Sequence, residues 1–210
     1  MSKSNKYGYS GVDIPTQAFQ ANVGKFDPAE INELVANDQW TQYGQLELIE
    51  TQTYSSAVSY VDFTDIKQDI YNVHFITMTN AQGSNAQVQM QFYESGVLET
   101  ASVYQYSLQF CATNGTFLAL TSAGNGHIQI GNSTNDAQNG YIYCYNLGDS
   151  TKYSFSTSHY IDDDSGDSRS VAMFGSGLLK QTSEVDGIRL KLNSGNYDSF
   201  TFSLYGIRYS

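Results

Sequence analysis

From Gln45 onward apolar and polar residues alternate with a period of two, and no helix-length period interrupts them. A strand sends successive side chains to opposite faces, so this alternation requires a sheet with one face on a core and the other toward solvent. The clearest runs are Val88-Gln89-Met90-Gln91-Phe92 and Tyr104-Gln105-Tyr106-Ser107-Leu108-Gln109-Phe110. Further candidate strands are 46–51, 57–63, 73–79, 117–120, 127–130, 141–145, 153–157, 171–174, 188–192 and 200–209, about a dozen in all. Asn- and Gly-rich turns separate them at 81–85, 94–96, 113–115, 124–126 and 193–196. A composition of 17 Tyr and 18 Gly against 2 Pro suits pleated surfaces joined by tight turns. Parallel strands need crossover helices, and none is available. The expected fold is therefore all-β, an antiparallel two-sheet β-sandwich of jelly-roll-like form over residues 45–210.

Residues 1–44 read differently. The first 26 residues keep neither period and scatter isolated apolar side chains such as Val12, Ile14, Phe19, Val23 and Phe26 among Gly, Asn and Gln. One helix signal follows near 28–37, with Asp27 as N-cap, Pro28 at the first helical position, Glu30 three residues after the cap, and Ile31, Leu34 and Val35 on one face. Asn37 or Asp38 ends it. A helix of about ten residues is marginal alone. The expectation is an extended N-terminal docking arm that seats Val12, Ile14, Phe19, Phe26, Ile31, Leu34, Val35 and Trp40 on a larger partner.

The formal net charge of −11 repels a phosphate backbone, so no nucleic-acid partner is expected. The opening MSKSNKYGYSGVD lacks the apolar stretch of a signal peptide, and nowhere do 18 apolar residues run together. Synthesis in the cytoplasm without membrane insertion is expected.

Chemistry-bearing residues are few. Asp162-Asp163-Asp164-Ser165-Gly166-Asp167-Ser168 forms the densest acidic cluster, readable as an exposed hairpin loop or as a cation site using Asp162, Asp164 and Asp167, though without EF-hand spacing. Cys111 and Cys144 match no zinc or redox motif and read as small buried hydrophobes or as a disulfide. His74, His127 and His159 stand apart, and His74 within an apolar strand reads as packed and hydrogen-bonded. Gly175-Ser176-Gly177 lacks the strand-to-helix setting of a nucleophile elbow. Glu47 and Glu50 fall on opposite faces of one strand and do not form a glycosidase pair. No cofactor and no catalysis are expected. Exposed Tyr and Asn residues in loops offer a shallow sugar-binding surface, since ring faces cover sugar C–H groups and amides meet hydroxyls.

The closing stretch Val185-Asp186-Gly187-Ile188-Arg189-Leu190-Lys191-Leu192-Asn193-Ser194-Gly195-Asn196, with Ser199-Phe200-Thr201-Phe202-Ser203-Leu204-Tyr205-Gly206-Ile207, resembles a C-terminal signature of virion proteins of tailed bacteriophages, especially those of cyanobacteria. Leu46-Glu47-Leu48-Ile49-Glu50-Thr51-Gln52-Thr53 and Val61-Asp62-Phe63-Thr64 look like the start of the same module, and Tyr7-Gly8-Tyr9-Ser10-Gly11-Val12 resembles an attachment segment. The resemblance covers most of 45–210 and is most specific at the two ends. It implies a structural component of a tail fibre, baseplate or head decoration, located in the virion, with other capsid, tail or baseplate proteins as partners. It also implies a homo-oligomer, a trimer by analogy. A host-receptor or glycan-binding module is the alternative, and a polysaccharide depolymerase a third reading. Within the signature, the strands at 188–192 and 200–204 are expected to pair with each other through the Asn-Ser-Gly-Asn turn.

Overall fold

The computed structural model describes residues 28–36, 46–133 and 136–208. The chain divides between residues 43 and 44 into two units, and each is described by itself.

In the first unit, helix α1 spans Pro28–Ala36, as the sequence predicts. Proline fits the first turn because an N–H there has no intrahelical acceptor. Ile31 and Leu34 are its partly buried positions, while Asn32, Glu33 and Ala36 are exposed. This is the one-sided pattern of residues three apart on a helix. Asp27, Val12, Ile14, Phe19, Phe26, Trp40 and the Val35 side chain lie outside the described residues.

The second unit is the expected all-β sandwich. Its strands are β1 (Glu47–Tyr54), β2 (Tyr60–Phe63), β3 (Val73–Gly83), β4 (Ala86–Glu94), β5 (Val97–Leu98), β6 (Tyr104–Ala112), β7 (Phe117–Asn125), β8 (Ile128–Ser133), β9 (Gln138–Tyr145), β10 (Tyr153–Asp164), β11 (Arg169–Thr182), β12 (Val185–Leu192) and β13 (Tyr197–Ile207). The large sheet has eight strands in the order β1-β13-β3-β9-β10-β11-β6-β7; the small one has five, β2-β12-β4-β5 with β8 also on β4. All pairings are antiparallel. Only the two-residue β5 has no counterpart among the predicted strands. It folds back on β4 because Ser95 and Gly96 both adopt positive φ, 52° and 75°, the geometry of a tight primed hairpin turn.

The core lies between the sheets. Phe63, Met90, Phe92, Ile188 and Leu190 from the small sheet meet Ile76, Ile142, Met173, Phe202 and Leu204 from the large one, and all ten are fully buried. The sheets approach most closely at β8, which packs on β6, β10 and β11. There the large sheet presents small inward residues, Ser154, Ser156 and Ser158 on β10 and Gly177 on β11, and Ile128 of β8 fills the space a Cβ at Gly177 needs. Gly131 of β8 rests against the Tyr160 ring in the same way, while the Tyr160 hydroxyl donates to the Gln138 side-chain oxygen. These glycines serve sheet packing, which agrees with reading Gly175-Ser176-Gly177 as no elbow.

One expectation is corrected. The strands of the closing signature do not pair with each other: β12 lies between β2 and β4 in the small sheet, and β13 between β1 and β3 in the large one. The turn at 193–196 carries the chain across the core instead of reversing it within a sheet. Hydrogen bonds to other strands hold it open: Asn193 N–H donates to the Gln87 carbonyl (2.9 Å), Gln87 N–H to the Asn193 side-chain oxygen (2.9 Å), and Ser84 N–H to the Asn196 carbonyl (3.0 Å). Gly195, at φ +74°, supplies the left-handed residue. Ile188, Leu190 and Leu192 thus face Phe200, Phe202 and Leu204 from opposite layers, all inward as expected.

Candidate functional site

The outer face of the eight-stranded sheet carries the chain's most distinctive surface. Strand register aligns Tyr205, Phe75, Tyr143, Thr157, Ser176 and Ser107 in one row across six strands, and Ser203, Thr77, Tyr141, His159, Phe174 and Gln109 in the next. Neither row contains a charged side chain, in a protein with 21 acidic residues. The residues point outward because their strand neighbours, such as His74, Ile76, Ile142, Cys144, Ser158 and Met173, are buried.

Ring contacts link the rows. Phe75 is the hub, with centroids 4.5 Å from Tyr143, 6.0 Å from Tyr141 and 6.1 Å from Tyr205. Tyr141 meets the His159 ring edge-on at 5.7 Å, and His159 meets Phe174 edge-on at 6.3 Å. Such cross-strand pairs add some tenths to 1 kcal/mol each. They hold the rings in place without covering them, with Tyr141 40% exposed and Phe174 48%; Phe155 (43%) and Ile161 (53%) stand open on the same face.

Two shallow troughs score this face. One, of about 320 Å³, is floored by Phe75, Tyr141 and Ile161 and rimmed by Thr77, Thr79, Asn139 and His159. The other, of about 470 Å³, has Phe155 and Leu178 as its apolar part and Ser107, Thr121 and Ser176 as hydroxyls. The aromatic surface therefore lies on strands, not in the loops where the sequence reading places it. The signal for it is the run Tyr141, Tyr143, Tyr145 at alternate positions with Ile142 and Cys144 between. A third cleft, of about 500 Å³, sits at an end of the sheet among Gln68, Tyr71, Asn146 and the Asp149–Lys152 ion pair.

Asp162 is buried, while Asp164 and Asp167 share one cation already in the chain: Arg169 Nη2 lies 2.9 Å from the first carboxylate and 2.8 Å from the second. The acidic stretch is the ordered end of the β10–β11 hairpin, and among the described residues no three His, Cys, Asp or Glu side chains converge as metal ligands. Both cysteines are free; Cys111 is half-buried, and burial pushes the Cys144 thiol up to about 12. Glu47 accepts from the Tyr71 hydroxyl (2.7 Å) and Glu50 from the Gln52 amide (2.8 Å), so the two carboxylates serve separate contacts; the bulge after Leu48 sets them opposite Gly206 and Leu204, on the same side of β1 and not on opposite faces as the sequence predicts.

His74 is fully buried on the inner side of β3, with Nε2 donating to the Ile66 carbonyl at 2.7 Å. Its Nδ1 is buried without a partner among the described residues, the arrangement of a neutral imidazole. On the outer side of the small sheet, Arg189 forks onto Asp62 (2.7 and 2.6 Å), reaches the Tyr93 hydroxyl (2.6 Å) and stacks 3.8 Å over the Tyr60 ring. This network ties β2, β12 and β4 together. Of the arm residues, Ile31 and Leu34 are described and partly buried on α1; the others lie outside the described residues.

Among the described residues no helix is long and apolar enough to cross a membrane. No protein-family model matches the chain, and neither a curated protein nor a solved structure shows significant similarity to it.

Proposed function

We propose that this chain is a non-enzymatic structural protein of a tailed-phage particle, a fibre, baseplate or head decoration component attached through residues 1–44 and displaying the sandwich. The resemblance at 46–53, 61–64 and 185–207 supports this reading. The observation that carries it is the contrast between the two edges of the large sheet. β1 guards one edge with Glu47, Glu50 and a bulge between Leu48 and Glu50, the usual devices against edge pairing. β7 at the other edge reads FLALTSAGN, with no charge and no proline, and pairs only with β6 among the described residues. Phe117 is 69% exposed and Leu118 52%, on opposite faces of that strand. A long uncharged edge of this kind is a template for another chain. A second copy is the occupant this reading assigns, giving the homo-oligomer expected of a virion component.

Sedimentation equilibrium of the full chain is expected to show self-association that Leu118→Lys abolishes, since lysine on an edge strand blocks pairing. A monomeric wild type over the same concentrations contradicts the assignment. Deleting residues 1–44 is expected to leave a soluble sandwich with unchanged β-sheet circular dichroism that no longer joins particles. Incorporation of the truncated chain at normal levels refutes the role given to Val12, Ile14, Phe19, Phe26, Ile31, Leu34, Val35 and Trp40.

A further inference from the structure

We infer that the outer face of the eight-stranded sheet binds a neutral polysaccharide, with its two troughs as successive subsites. This deepens the proposed role by naming what the displayed face holds. A sugar ring has apolar C–H faces and a rim of hydroxyls, so its binding site needs exposed ring faces interleaved with short hydroxyls and amides. The first trough has that pattern. Tyr141 and Phe75 supply the rings, with Thr77, Thr79, Asn139 and His159 beside them. Asn139 accepts the Asn80 N–H (3.1 Å) through its side-chain oxygen, and its NH2 group has no hydrogen-bond partner among the described residues. The second trough repeats the pattern with Phe155 against Ser107, Thr121 and Ser176.

Both troughs draw on β10, His159 and Ile161 in the first and Phe155 in the second, with Thr157 outward between them. Six residues of strand span about 20 Å, which suits a chain of several sugar units better than a single one. The rings run in a continuous stripe from Tyr205 through Phe75 and Tyr141 to His159 and Phe174, and the hydroxyls of Thr77, Thr157 and Ser176 stand beside it in the same two rows, so sugar rings can lie along the stripe with their hydroxyls met from its borders. The missing charge sets the class of glycan. No Lys or Arg lines either trough to meet a uronate or sulfate, and the net charge of −11 repels anionic chains.

The test is affinity electrophoresis of the full chain in gels containing mannan, galactan, dextran, alginate or polygalacturonate, together with a printed array of microbial surface polysaccharides. Retention by at least one neutral chain is expected. Tyr141→Ala and Phe155→Ala should each weaken it by about tenfold or more, with denaturation midpoints near wild type because both rings are exposed. Retention by no neutral chain, a preference for acidic ones, or retention unchanged in both variants overturns the inference. If both variants instead lose incorporation into particles while sugar retention is absent, the face is a protein interface. Sugar binding and particle incorporation are separate readouts, so failure of one leaves the other standing.

Discussion

Replacing Phe202 by alanine will lower the unfolding free energy by about 3–5 kcal/mol, whereas Phe174→Ala will lower it by less than about 1 kcal/mol. Both are phenylalanines in the middle of strands of the same sheet. Phe202 is fully buried, 4.4 Å from the Phe200 ring and edge-on to Tyr197 at 5.5 Å, so truncation removes packed surface and leaves a cavity between two sheets that cannot close over it. Phe174 is 48% exposed and touches the His159 ring on the outer face. Guanidinium denaturation of the two variants measures the difference. A large loss at Phe174 would mean that the outer aromatic lattice is part of what holds the fold, and would remove the reason for treating it as a recognition surface.

The second large effect is on pH dependence. Burial drives the His74 pKa from 6.5 down to about 4, against the smaller opposing effect of its hydrogen bond to Ile66. Between those values the unfolded chain binds a proton that the folded chain refuses. Stability is therefore fully present above about pH 7 and falls as pH drops through 6.5 toward 4. The expected loss between pH 7.5 and pH 5 is about 2 kcal/mol from this residue. His127, pushed down by burial and by Lys191, contributes in the same direction. His74→Gln removes the larger part of the slope, and denaturation midpoints at a series of pH values between 5 and 7.5 measure it. An unchanged slope in the variant would show that His74 is not held neutral.

The alternation of residues made most strands and the sandwich legible from the sequence, because period two is a direct consequence of strand geometry. In two strands it did not tell which face looks inward. In β3, His74 is buried and Phe75 faces out; in β10, Ser154, Ser156 and Ser158 point to the core while Phe155, Thr157 and His159 face away. Hydrophobicity alone favours the reverse in β10, whose inner face meets β8 with small serines beside the one large ring of Tyr160. The partner of each strand was equally hidden. Asn193 to Asn196 has the composition of a hairpin turn, yet its hydrogen bonds go to Gln87 and Ser84, and the two strands it joins belong to different sheets. The outer-face site is not legible in the sequence because its residues come from six strands, β13-β3-β9-β10-β11-β6, of which only β9, β10 and β11 are consecutive in the chain. The arm rests on the reverse logic. Its apolar residues stand out because no period assigns them to the sandwich, which is a statement about sequence alone.

A cryo-electron microscopy reconstruction of particles that carry this chain tests the central claim most directly. Residues 1–44 should lie against another virion protein while the Phe75–Tyr141–Phe174 face of the large sheet looks toward solvent. Particles that lack the chain, or that bury this aromatic face against the shell and leave the N-terminal segment without a neighbour, would contradict it.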